Sequence, residues 1–464
     1  MKKLLLVICA VGMLTHMAFG QKCGPYDFPS YSVYDTAAAR SWGGIAFQLS
    51  SAYPTTAPAA GNYAWEKVDF KKKPAEYLNA LLNYGWDGME DAKWKGQDNK
   101  VRAWYHAPWL HEGYGGREFI HGLVMDRTVE PNVLSSKQKD AVRSYSITYY
   151  NAEAAFALGQ VWCDPKSPAP AKAKFPVGSV IMKLYFTTAD TSLVPHLLGA
   201  MEWEAYVEKS VGMSGSKESA PVRLAQIDFS VRTASKDAST GWVHGVMMYD
   251  GRISGDNPKT KFVPLGVQWG NDPGLKPKDV EGGKPLTETW VNTKVWNQKD
   301  PSKGLVQKLG FGYRLQGPFG NPAGSILSIS QASTWPITSL VPPSGASPDS
   351  SMNWMRNLGS GQAFAAGLTS LDHSLELRMG LLNHAVYAKR DTMLANKLNE
   401  ELSDMLGFTP VARDAGLPDF MQDQGEPADE GLTGRNLVVF IGFVLLMVAL
   451  IALLVWNFLR DKKD

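Results

Sequence analysis

Three imidazoles stand close together in Trp104–Leu123, WYHAPWLHEGYGGREFIHGL: His106, His111 and His121, with Glu112, Arg117 and Glu118 among them. Imidazoles and carboxylates are the donor types that hold zinc or iron. The spacing is not H-E-x-x-H, because Glu112 is followed by Gly113, Tyr114 and Gly115. The glycines make the stretch a loop, so helical facing arguments do not apply. A metal site here would use His106, His111 and His121. The structural alternative is a loop whose histidines bond backbone and whose Trp104, Tyr105 and Trp109 pack on a sheet. His106, Trp109, Arg117 and His121 are also candidate ligand-binding residues, with Asp228 and Asp272 available as partners for Arg117.

A second polar-aromatic group is Trp269-Gly270-Asn271-Asp272-Pro273. Asn and Asp before Pro make turns by bonding their own backbone. The functional alternative is ligand contact, with Trp269 as a stacking surface beside Asn271 and Asp272. Trp203 and Glu204 belong to a short helix or strand. No G-x-S-x-G elbow, Walker loop or dinucleotide fingerprint occurs. A glycosidase pair cannot be picked out among 45 carboxylates.

The elements that must position these groups are mostly strands. Period-two or continuous apolar runs predict strands at Phe156–Trp162, Val180–Thr187, Arg223–Arg232, Trp242–Tyr249, Phe262–Trp269 and Leu309–Leu315. Asp250-Gly251 reads as a hairpin turn. Helical spacing marks Pro74–Tyr84 and Asp391–Leu406. It also places Leu371, Leu375, Met379, Leu382 and Val386 on one face, with Thr369 or Ser370 as N-cap. The fold class expected is mainly β with helical additions (α+β): an antiparallel sandwich or distorted barrel, plus one C-terminal transmembrane helix. Gly 44, Pro 28 and Trp 15 suit such a turn-rich fold. Lys+Arg 47 against Asp+Glu 45 leaves almost no net charge, which argues against nucleic acid as a partner.

The two ends set the expected compartment. Lys2 and Lys3 precede an apolar run from Leu4 to Leu14, and Ala18-Phe19-Gly20 offers a signal-peptidase site before Gln21. Leu437–Trp456 has no charged residue and is followed by Arg460, Asp461, Lys462 and Lys463. As a helix it is long enough to span a bilayer, with its basic flank in the cytoplasm. The expected organisation is a signal peptide at 1–20, a β-rich extracytoplasmic domain at 21–340 and a helical segment packing on it at 341–408. A flexible tether at 409–435, a transmembrane helix at 436–459 and a cytoplasmic tail at 460–464 complete it. The bulk would then be periplasmic and anchored to the cell membrane, with protein partners there. Outside the signal, Cys23 and Cys163 remain. They can close one disulfide in an oxidising compartment or stay as separate buried thiols.

Several stretches together resemble an uncharacterised family of secreted proteins related to c-type cytochromes. They are WYHAPW (Trp104–Trp109), GREFIHGL (Gly116–Leu123), TGWVHGVMMYDG (Thr240–Gly251), PLGVQWGNDP (Pro264–Pro273), LGFGYRLQGPFGNPAG (Leu309–Gly324) and SLDHSLELRMGLLNH (Ser370–His384). The resemblance implies a haem-attachment sequence, C-x-x-C-H, just after Asn321-Pro322. Here Ile326 and Ile329 stand where the cysteines would be and Ser330 where the histidine would be. Thioether attachment needs a thiol and the iron needs an axial ligand, so these residue types exclude covalent haem at this place. Two isoleucines would suit a packed core strand. The function expected is a haem-less, membrane-anchored, cytochrome-related protein acting as a binding or assembly subunit, with no cofactor. The alternative is an extracytoplasmic metal-dependent enzyme using the histidine cluster.

Overall fold

The computed structural model describes residues 23–388, apart from 25, 30–35, 60, 112–115, 209–216 and 296–309. Every described residue belongs to one compact unit within Met1–Thr409. The expected signal peptide, the run Asp391–Leu406, the tether, the spanning segment Leu437–Trp456 and Glu112 lie outside the described residues. Among the described residues no helix is long and apolar enough to cross a membrane.

One antiparallel sheet organises the fold. Its strands are β1 (Val124–Val129), β2 (Val142–Tyr150), β3 (Val180–Thr187), β4 (Glu202–Val207), β5 (Glu218–Arg232), β6 (Trp242–Tyr249), β7 (Phe262–Gln268) and β8 (Thr289–Val291). The order is β1-β2-β3-β5-β6-β7-β8, with β4 pairing the first half of β5. β9 (Thr334–Trp335) and β10 (Thr369–Ser370) form a separate two-stranded ladder. The architecture is therefore β-rich α+β, but neither sandwich nor barrel. The sheet is not closed, and helices and loops cover its faces where a second sheet would pack.

Two faces follow from the period of two. On one, Tyr145, Ile147, Tyr149, Met182, Leu184, Phe186, Ile227 and Phe229 enter the main core. Helix α1 (Pro74–Trp86) packs there through Tyr77, Leu78, Leu81 and Leu82. The approach is close: a Cβ on Gly245 would meet Leu78 and one on Gly85 would meet Met182. On the other face lie Ser146, Thr148, Lys183, Tyr185, Asp228 and Ser230. In register, Lys183 sits between Thr148 on β2 and Asp228 on β5.

Three short helices belong to the structure around this second face: α2 (Ala152–Val161), α3 (Ile326–Gln331) and α4 (Leu375–Asn383). Leu377 and Leu381 of α4 join Leu158, Trp162, Ile181 and Trp242 in a second apolar cluster. Several expected elements are replaced. Phe156–Trp162 is helical, because AEAAFALGQV is rich in helix formers and Asn151 caps it by accepting from the Ala154 N–H. Ile326 and Ile329 stand on a helix, not a core strand, because Ser325 and Ser328 form a reciprocal N-terminal cap. In Leu309–Leu315, Phe311–Tyr313 is a tight helical turn with Gly312 at φ 62°. Thr369 and Ser370 pair in β10; the cap of α4 is Ser374.

Candidate functional site

A cavity of about 140 Å³ opens over the second face, between the sheet and helices α3 and α4. A cavity near this size holds a benzene-sized molecule. Its wall divides by chemistry. Ile181, Phe319, Ile326, Ile329, Leu375 and Met379 make an apolar side. Asp126, Lys183, Asp228, Ser230, His373 and Glu376 make a polar one.

The charges form a connected group. Lys183 Nζ lies 2.7 Å from Asp126 and 3.2 Å from Glu376. Asp126 also accepts from Ser146 Oγ at 2.9 Å, and Glu376 from Thr148 Oγ1 at 3.2 Å. Burial works against the Lys183 charge, but Asp126, Tyr185 and Glu376 outweigh it and hold its pKa well above the ordinary lysine value. An ammonium so held is no nucleophile. Asp228 is different. Burial pushes its carboxyl up to about 7, against the lowering by Gln226 and Lys183. Its hydrogen bond among the described residues comes from Gln226 Nε2 at 2.7 Å.

His373 enters from the turn before α4. Asp372 and His373 both have left-handed backbone, φ 49° and 68°, a costly conformation for residues with a Cβ. The Asp372 carboxylate holds that turn. It accepts from the Phe175 N–H at 2.8 Å, the Trp242 indole at 3.1 Å and the Gly361 N–H at 3.2 Å. The His373 ring is stacked 5.7 Å from Trp242 and 6.1 Å from His244. Burial lowers its pKa to about 4, with support in the other direction from Asp372 and the Leu358 carbonyl. Among the described residues its Nδ1 is buried with no hydrogen-bond partner.

The residues singled out in sequence are placed elsewhere. His106 is buried, its Nδ1 3.1 Å from the Thr148 carbonyl, and burial lowers its pKa to about 3. His121 stacks on Trp203 at 4.6 Å and contacts the Glu204 carbonyl. His111 is buried against Trp109, whose own carbonyl accepts from Asn383. Among the described residues no group of three or more His, Cys, Asp or Glu is arranged to hold a metal ion. The Arg117 guanidinium donates to the Ala107 and Gly122 carbonyls, rather than to Asp228 or Asp272. Trp269 packs on Phe70. Asp272 accepts from Thr287 and Glu288. Asn271 accepts from Ser325 Oγ at 2.7 Å, which fixes the start of α3. Cys23 and Cys163 are joined in a disulfide.

Comparison with known protein families, curated proteins and solved structures found no match to this chain. The cavity is therefore read from its own chemistry. Lys183 was visible inside a strand pattern, on the alternate face with Tyr185. His373 carried no sequence signal, because a left-handed Asp-His pair has none.

Proposed function

We propose that this protein is a haem-free, membrane-tethered, extracytoplasmic binding protein related to the secreted cytochrome-like family, with the cavity over the sheet as its ligand site. The observation that carries this reading is the place of Ile326, Ile329 and Ser330. The residues that stand where a haem-attachment sequence is expected all line the cavity. Their side chains offer neither thiol nor imidazole, so the pocket has become a half-apolar, half-charged recess. Lys183 is held protonated by Asp126 and Glu376, which supports binding over nucleophilic chemistry. The Cys23–Cys163 disulfide supports an oxidising compartment.

The test is an absorbance spectrum of protein purified from membranes, before and after denaturation. No haem band is expected at either stage. A band that stays with the denatured chain overturns the reading. Protease added to intact spheroplasts should degrade the bulk of the chain, and carbonate should leave it in the membrane pellet.

A further inference from the structure

The cavity's polar side is built to accept hydrogen bonds. Asp228, Asp126 and Glu376 are carboxylates, and Ser230 Oγ is engaged with His244 Nδ1 at 2.9 Å. The lysine ammonium that lines the recess is shared by two carboxylates already. Arg127 donates to the carbonyls of Thr128 and Gly320. A ligand that satisfies this side must bring donors and positive charge. The opposite wall, Ile326, Ile329, Leu375 and Met379, wants a hydrocarbon.

We propose that the cavity is a site for a small organic ammonium ion, its headgroup at Asp228 and its apolar body, about six carbons in all, against α3 and α4. This rests on the cavity being the ligand site. A carboxylic acid would meet three carboxylates, and a neutral alcohol would leave Asp228 without a counter-charge.

The charge on Asp228 then couples to binding. The groups facing it are Lys183 and Tyr185 on β3, Asp126 and Arg127 on β1, His244 on β6, His373, and Glu376 on α4. Among those whose pKa is displaced, Asp228 is the one brought inside the window from pH 6 to 8. Its ionised fraction rises about tenfold across that window, so an ammonium should bind about tenfold more tightly at pH 8 than at pH 6.

The experiment is calorimetric titration of the full chain in detergent with hexylammonium, 1-hexanol and hexanoate, at pH 6 and pH 8. The proteins are wild type, Asp228→Asn and Ile329→Trp, each checked for native circular dichroism. Hexylammonium should bind best and tighten with pH. Asp228→Asn should weaken it at least about tenfold and remove the pH dependence, and Ile329→Trp should weaken it by filling the apolar wall. If Asp228→Asn does not fold, the wild-type pH dependence and Ile329→Trp decide. Alcohol or hexanoate binding as tightly as the amine overturns the ammonium assignment and leaves a ligand cavity standing. Amine affinity unchanged in Asp228→Asn also overturns it. No binding by any probe overturns it as well, while the haem spectrum still judges the parent reading separately.

Discussion

Trp242 on β6 donates its indole N–H to Asp372, 3.1 Å away and 130 residues later in the chain. This bond ties the sheet to the left-handed turn that delivers His373 to the cavity. The carboxylate also holds the Phe175 and Gly361 amides. Asp372→Ala would leave three donors without their acceptor, each costing roughly 1–3 kcal/mol if it stays buried. The expected loss is about 3–5 kcal/mol in urea unfolding, against about 2 kcal/mol for Trp242→Phe, which loses one of these bonds and opens space in the second apolar cluster. Equal effects of the two substitutions would deny Asp372 its role as the hub.

Acid should unfold the protein early. Burial lowers the pKa of His106 to about 3, of His196 and His373 to about 4, and of His244 well below its ordinary value. These groups are neutral in the fold but protonate in the unfolded chain near pH 6.5. Their stabilising contribution is complete above that pH and is lost as pH falls. Asp228 and Glu118, whose carboxyls burial raises, oppose this in the acid range. The net slope should be about 2–3 kcal/mol per pH unit below pH 6, read from urea midpoints between pH 7 and 5. A flat profile there would contradict the assignment of neutral buried imidazoles.

Asp228→Asn separates the opposing contribution. The folded pKa of this carboxyl, about 7, lies above that of the unfolded chain. Its contribution is therefore greatest below about pH 4 and declines as pH rises to 7. The asparagine variant should match wild type near pH 4 and exceed it by about 2–4 kcal/mol at pH 8. A variant less stable than wild type at pH 8 would mean that the charge on Asp228 is well satisfied in the empty protein.

The disulfide closes a separation of 140 residues. Cys163→Ser should lower stability by about 3–5 kcal/mol through the freed unfolded chain. Denaturant midpoints with and without reductant would check this, since reduced wild type should match the variant.

The strands were legible where a continuous apolar run stood out, whereas β2, in which Tyr145, Ile147 and Tyr149 alternate with Ser144, Ser146 and Thr148, was missed. Val180–Thr187 and Trp242–Tyr249 have the expected bounds. The edge strands β1 and β8 were not, because VMDRTV and TWV carry too little apolar pattern. Phe156–Trp162 misled because an apolar run of that length fits strand or helix equally. The histidine loop was the most visible chemistry, yet His106 and His121 are held by the Thr148 and Glu204 carbonyls. The cavity was nearly invisible. Lys183, Asp126 and Glu376 meet only through sheet order and the docking of α4, and neither leaves a local trace. Asp228 was singled out, but for Arg117, which bonds carbonyls instead.

The most direct test is native mass spectrometry of the gently purified full-length protein, wild type beside Ile329→Trp. The account predicts a small molecule retained by wild type and missing from the variant, whose wall the indole fills. Identical masses of bound material in the two proteins, or none in either, would contradict a ligand site between α3 and the sheet.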